Sequence, residues 1–298
     1  MKLWRLNIKT AAKAGFDPFQ FCFSRNLAGV GWPVEDEEGR PPHDLEQYRD
    51  LGHVRYSLQG DKSWWPAFNV LGYRMTEGDL CWTRDSKGTY YLGRITGPWA
   101  YLHGDDADNY DLHSVRPCQW RKVGLLDAIP GAVERSFGPA RTIQAIDDET
   151  AAAFSEFVYS RLTGEQPASA HTHPDIFGLL SPLDHEDLAA LYLQAEHDFV
   201  IVPSTVKPSA AAYEWVMLNK ITGEKAVIQV KSGRAQVDLA VLGKIDCAVY
   251  VVVADETVDQ TAPKNIRYIW RETLLAFACR RRNILPKRIQ YYLQWAGM

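Results

Sequence analysis

Seven of the ten tryptophans (Trp4, Trp32, Trp64, Trp65, Trp82, Trp99 and Trp120) fall within the first 120 of 298 residues. A core built the same way along the whole chain would not segregate its largest side chains like this. The bias predicts two differently constructed halves, and the length is enough for two separate cores. Local patterning agrees: the first half shows short alternating runs broken by glycine and proline, the second an alternation of helix and strand patterns. An apolar fraction of 46% and a charged fraction of 23% are those of ordinary globular chains. A net charge of -4 excludes a uniformly basic surface but leaves room for a local basic groove.

In the first half, Leu3 to Ile8 alternates as a strand, Asp17-Pro18 opens a short helix, and Gly29 to Pro33 returns to extended chain. HDLEQYRDLG is patterned as a helix. GDLCWTRDSKGTYYLGRITGPW, residues 78 to 99, reads as a hairpin turning at Asp85-Ser86-Lys87-Gly88. Strands near Pro117 to Val123 and Arg141 to Ala145 complete a small β-barrel-like module with little helix, residues 1–147. The acidic GDDADNYD reads as a loop, and Asp105, Asp106 and Asp108 lack the spacing of a calcium-binding loop. Residues 148–179 read as a helix followed by a polar linker. His171 and His173 lie in that linker without a third ligand nearby, which points to solvation rather than metal binding.

Residues 180–298 alternate helix and strand, which predicts an α/β sheet and an α+β protein of two domains. Within them, YEWVMLNKITGEKAVIQVK lays out as a hairpin turning at Thr222-Gly223. Antiparallel pairing brings Glu214, early on one strand, beside Gln229 and Lys231, late on the next. Gln229 and Lys231 share a face because side chains alternate along a strand. A carboxylate, an amide oxygen and an ammonium at one point suit metal-assisted hydrolysis. Mg²⁺ or Mn²⁺ takes oxygen ligands, and a lysine beside it orients water or stabilises a developing anion.

Glu214…Gln229-Val-Lys231 resembles the (D/E)…(D/E/Q)xK signature of the PD-(D/E)XK nuclease superfamily, and VIQVKSG its Mrr-like restriction endonuclease branch. The family's upstream helix carries a glutamate, and HEDLAALYLQ offers Glu186 in the matching place. One departure stands out: the family's acid is usually an aspartate in a glycine-rich context, whereas here a glutamate follows Ala-Ala-Tyr. The resemblance implies Glu214 and Gln229 as metal ligands, Lys231 at the attacking water and Glu186 as a helper. Arg280, Arg281, Arg282, Lys287 and Arg288 cluster near Tyr291, Tyr292 and Trp295, and Glu272 is the one acid from Lys264 onward. Such a surface suits phosphate contacts.

The first half resembles the PUA-like fold, and within it the EVE and YTH-type relatives. The resemblance rests on Trp4-Arg5-Leu6-Asn7, on Gly31-Trp32 and on Gly78-Asp79 opening an apolar strand. It implies an aromatic cage that holds one flipped base. The candidates are Trp32, Trp64, Trp65, Trp82 and Trp99, with Asn69 or Asp79 reading the base edge. Most aromatics of a small β domain are nevertheless core.

Five scattered cysteines without a CxxC, no signal-peptide pattern, and a longest apolar run (Cys247 to Ala254) too short for a bilayer predict a cytoplasmic protein free of the membrane. The leading expectation is a modification-dependent, Mg²⁺-requiring DNA endonuclease of bacterial restriction or antiphage defence. Cutting both strands calls for two active sites, hence a homodimer. The alternative is a catalytically degenerate nuclease fold that binds modified DNA or a nucleotide signal.

Overall fold

The computed structural model describes residues 1–139, 141–165, 176–206, 212–230, 238–253 and 263–298. The chain divides into two compact units, Met1–Ala170 and His171–Met298. His171 and His173 lie outside the described residues.

The first unit runs β1 (Leu3–Leu6), α1 (Pro18–Arg25), β2 (Leu27–Val30), α2 (Leu45–Gly52), α3 (Trp64–Phe68), β3 (Leu80–Arg84), β4 (Tyr90–Ile95), β5 (Ala100–Tyr101), α4 (Asp105–Tyr110), β6 (Ser114–Gly124), α5 (Gly131–Ser136), β7 (Ile143–Ala145) and α6 (Glu149–Thr163). Its sheet has the order β2-β6-β4-β3-β1-β7, with β5 also on β6. All pairs are antiparallel except β1–β3. The first residues of β6 pair with β2 and β5 and its later ones with β4, and this handover along one long strand goes with the curl of the sheet into a half-barrel.

Local chemistry explains the hairpin. The Asp85 carboxylate accepts from the N–H of Lys87 at 2.9 Å and of Thr89 at 2.8 Å. Gly88 takes φ +81, which a side chain would resist. Gly78-Asp79, expected to border a base pocket, is instead a structural lock. Asp79 is 2% exposed, and its oxygens accept from Lys2 N, Trp4 Nε1 and Thr76 N at 2.7, 2.9 and 3.1 Å. Those bonds fasten β1 to β3 and leave Asp79 no face for a base. Trp82 is also core: it is fully buried, and its Nε1 donates to Ser155 Oγ at 2.9 Å, fixing α6 against the sheet. The Arg94–Glu156 pair at 2.8 Å holds the same helix, which therefore belongs with the first unit.

Helix is more abundant here than the strand-rich pattern predicts. The acidic segment expected as a loop forms α4, with three aspartates in its first turn where they favour the helix dipole. α2 and α3 each run on into π-helical turns, His53–Ser57 and Asn69–Arg74. These segments surround a second core of Val34, Tyr48, Trp64 and Phe68, with the Trp64 and Phe68 rings stacked at 5.3 Å. Trp64, expected in the cage, is fully buried there. Gly52 is required beside it, because a Cβ at that position would stand 2.2 Å from the indole.

The second unit runs α7 (Pro182–Glu196), β8 (Phe199–Ile201), β9 (Trp215–Asn219), β10 (Lys225–Val230), α8 (Leu239–Leu242), β11 (Ala248–Val253), β12 (Ile266–Trp270), α9 (Arg271–Arg280) and α10 (Lys287–Trp295). The strand order is β12-β11-β10-β9-β8. β9 is antiparallel to both of its neighbours, β8 and β10, and β10, β11 and β12 run parallel. β10 is therefore central, which accounts for its near-continuous apolar run. Ser181 and Asp184 form a capping box ahead of α7, with Pro182 in its first turn. No helix among the described residues is long and apolar enough to cross a membrane.

Candidate functional site

The β9–β10 turn sets the geometry of the second unit's candidate site. Asn219 Oδ1 accepts from the N–H of Ile221 and of Thr222, both at 3.0 Å, and Gly223 turns the chain at φ +71. The resulting register pairs Leu218 with Lys225 and Trp215 with Ile228. One residue further on, Glu214 meets Gln229. The Glu214 N–H donates to Ile228 O at 2.8 Å, and Gln229 Nε2 donates to Glu214 Oε1 at 2.7 Å. The same amide nitrogen also reaches Val230 O at 3.3 Å, and Gln229 is 6% exposed.

Strand alternation puts Glu214 and Gln229 on the face that carries Val227, Val249 and Val251, which pack with Leu242 of α8. Glu186 is half-buried on α7. That helix lies over the opposite face, where His197, just past its end, approaches Tyr250 and where Phe199 meets Tyr250 at 5.5 Å. Lys231 lies outside the described residues. Among the described residues no group of three or more His, Cys, Asp or Glu side chains could hold a metal. The pair on hand is a carboxylate and an amide, both oxygen donors of the kind a hard cation accepts while keeping several waters. For Gln229 Oε1 to face a shared cation, the amide must turn over and give up its bond to Glu214.

The basic tail is sorted by its partners. Arg288, expected on a phosphate, is committed elsewhere: its guanidinium is 12% exposed and bonds both Asp184 and Asp187, tying α10 to the start of α7. Arg280 and Arg281 reach Glu196 at 3.9 and 3.1 Å but stay more than half exposed. Arg282 is exposed as well. Lys287 lies with its Nζ 5.2 Å from the centre of the Tyr291 ring.

In the first unit a cleft of about 350 Å³ is lined by Asn7, Trp32, Tyr56, Asp61 and Asp111, among others. Trp32 adopts φ +68, an unusual conformation for a bulky residue and one that concentrates at functional sites. Its Nε1 donates to Asp61 Oδ2 at 3.0 Å, and its backbone carbonyl accepts from Tyr48 Oη at 2.9 Å. Burial pushes the Asp61 carboxyl up, yet hydrogen bonds from Ser63, from Trp32 and from the Trp64 backbone bring it below the usual range. Asp111, at φ +49, accepts from Ala11 N at 2.7 Å, and burial raises its pKa. Gly31 makes room for that carboxylate, since a Cβ there would stand 2.6 Å from Asp111 Oδ2.

Of the expected cage, only Trp32 lines this cleft. Trp99 is half-buried, with Nε1 on Ser114 Oγ at 2.7 Å and its ring 5.4 Å from Tyr48. Trp65 is 43% exposed and borders a different cleft, and Asn69 is half-buried in a π-helical turn. Tyr56, Asp61 and Asp111 escaped the sequence reading. They come from a π-helical turn, the loop after it and the end of α4, with no shared motif; the one local signal is Asp61-Lys62-Ser63, where Asp61 Oδ1 accepts from Ser63 N at 2.7 Å.

Compared with known proteins, the chain matches no family model and no curated sequence.

Proposed function

We propose that the protein is a DNA endonuclease whose second unit cleaves a phosphodiester and whose first unit receives a single extruded base beside Trp32. The observation that carries the reading is the 2.7 Å contact between Gln229 and Glu214 at the open end of the β9–β10 hairpin. Glu214 and Gln229 would hold Mg²⁺ or Mn²⁺ together with waters. When bound, such a cation lowers the pKa of a water and neutralises charge on a phosphate. Lys231 follows Gln229 by two residues in the sequence, the spacing of the signature it resembles. Its ammonium would orient the attacking water and stabilise charge on the phosphate. Arg280, Arg281 and Arg282 supply sequence-independent backbone contacts.

In the first unit, Trp32 and Tyr56 offer aromatic surface, and Asp111 offers an acceptor to an exocyclic amine. That combination suits a base that carries an exocyclic amine. The test is incubation of the full chain with methylated and unmethylated DNA in Mg²⁺ and Mn²⁺. Metal-dependent cutting of the methylated DNA, lost in Lys231→Ala, is the expected result. An absence of cutting on either DNA in both metals rejects the endonuclease.

A second reading is favoured by the same hydrogen bond. Gln229 donates from its amide to Glu214 and to Val230 O, an arrangement that is satisfied without a cation. A protein that keeps this pair closed binds modified DNA or a nucleotide and turns nothing over, and binding without cutting in the same experiment identifies it.

A further inference from the structure

A second concavity adjoins the Trp32 cleft. It measures about 910 Å³ and is lined by His53, Val54, Asp61, Lys62, Trp65 and Pro66, among others. Asp61 is common to both: it borders the Trp32 cleft and this one. The two aromatic walls are also linked. The ring of Trp64 lies 6.1 Å from that of Tyr56, in the first cleft, and 5.8 Å from that of Trp65, in the second. One fully buried indole thus separates an aromatic face in each concavity.

The second cleft has chemistry of its own. Among its lining residues Trp65, on α3, and Val54, on the π-helical turn, are 43% and 62% exposed, so two elements contribute apolar surface to it. Lys62 is exposed in its wall and forms no ion pair among the described residues, whereas Arg49 is occupied by Glu46 and Asp50. An exposed indole beside an unpaired cation is the combination that holds an unstacked nucleotide: the ring takes the base face and the cation takes the phosphate. Extruding one base also leaves its neighbour without a stacking partner, so a replacement surface next to the extruded base's pocket stabilises the opened strand.

We infer that the Trp65 cleft is a subsite for the nucleotide adjoining the extruded base, with Trp65 stacking on that base and Lys62 meeting its phosphate. The inference rests on the reading of the Trp32 cleft as the pocket for the extruded base. Asp61 joins the two functions physically, because the carboxylate that orients the Trp32 indole also forms part of the second wall. The strand is therefore read as a unit of two nucleotides, one held in the Trp32 cleft and one stacked outside it.

The test compares the affinity of the full chain, in EDTA, for mononucleotides and for single-stranded trinucleotides with the same central base. The central bases are cytosine, 5-methylcytosine, adenine and N6-methyladenine. The trinucleotide is expected to bind more tightly than the mononucleotide. Trp65→Ala removes that advantage, weakening trinucleotide binding by at least about fivefold, the low end for one stacked base, while mononucleotide binding stays unchanged. Trp65→Phe retains most of the advantage. Lys62→Gln lowers the slope of log affinity against log salt by about 0.7, as expected for one lost contact to a single strand. If Trp65→Ala binds the trinucleotide as well as the wild type does, or weakens both ligands equally, the subsite is wrong while the Trp32 pocket stands. If neither ligand binds the wild type, the pocket and the subsite fall together.

Discussion

Gln229 Nε2 donates to Glu214 Oε1 at 2.7 Å, across two neighbouring strands and fifteen positions of sequence. The contact is built by the Asn219 turn, which fixes the register that sets the two residues opposite each other. A hydrogen bond to a carboxylate contributes more than one between neutral groups, about 1.5–3 kcal/mol. In the proposed enzyme a cation competes with that bond, so its binding energy is offset by the cost of turning the amide.

Gln229→Glu tests this competition. The substitution replaces a donor with a second carboxylate beside Glu214, mostly out of water. The metal-free protein is expected to lose about 2–3 kcal/mol near neutral pH, from the lost bond and like-charge repulsion. The loss shrinks as pH falls and one carboxyl takes up a proton. Added Mg²⁺ or Mn²⁺ restores the Tm more in the variant than in the wild type, through preferential binding to the folded state. Thermal melts with and without metal at two pH values measure it. Equal metal responses in the two proteins rule out a cation between these side chains.

Gly52→Ala probes the wall behind the clefts. A Cβ there would stand 2.2 Å from the Trp64 ring, which is fully buried and stacked on Phe68. Overpacking of this kind costs about 1–3 kcal/mol, more than the gain in helix propensity from replacing glycine by alanine. Urea denaturation should show a lower midpoint with an unchanged slope.

Most of the strands and the Glu214–Gln229 meeting were legible because each follows from local rules, alternation, turn residues and antiparallel register, whereas β5 and β12 were not read from the sequence. Asp17 before Pro18, Asp85 through Gly88, and Ser181-Pro182 with Asp184 all announce their elements through bonds made within a few residues. The aromatic cleft was not legible in the same way. Nothing in the local pattern around Trp64 or Trp82 distinguishes a core indole from a pocket indole, and the difference lies in distant partners, Gly52 for one and Ser155 for the other. Asp79 was misread for the same reason. Its partner Trp4 is seventy-five positions away, and only the β1–β3 pairing brings them together. In the tail, Arg288 looks like its exposed basic neighbours until α7 delivers Asp184 and Asp187.

Asp111→Asn separates stability from recognition in the Trp32 cleft. Burial, opposed by the Ala11 N–H and by His113, holds the folded pKa of Asp111 above the ordinary 3.8. Ionising this group therefore costs the folded state. The cost is absent below the unfolded value, grows as pH rises through the folded value, and is complete above it. Asparagine removes the charge, keeps an oxygen for Ala11 and tolerates the positive φ. The Tm difference, variant minus wild type, is expected to be positive at pH 7 and smaller at pH 3. Nucleotide affinity should fall if the carboxylate accepts from a base amine.

Arg288→Ala and Arg280→Ala divide the basic tail into two kinds of residue. Asp184 is fully buried and caps α7 at the same time, so deleting Arg288 strands a carboxylate in the interior. Removing one partner of a buried pair costs about 3–5 kcal/mol, and Arg288→Ala should unfold at a markedly lower temperature. Arg280 is 59% exposed and reaches Glu196 only at 3.9 Å, so its loss changes stability by under about 0.5 kcal/mol. For DNA the order reverses. Arg280→Ala, with Arg281→Ala and Arg282→Ala, should weaken binding uniformly across sequences and flatten its salt dependence. A conservative Arg288→Lys that folds should bind DNA like the wild type. If Arg288→Lys instead loses DNA affinity while folded, Arg288 contacts the phosphate as well as Asp184, and the division of the tail is wrong.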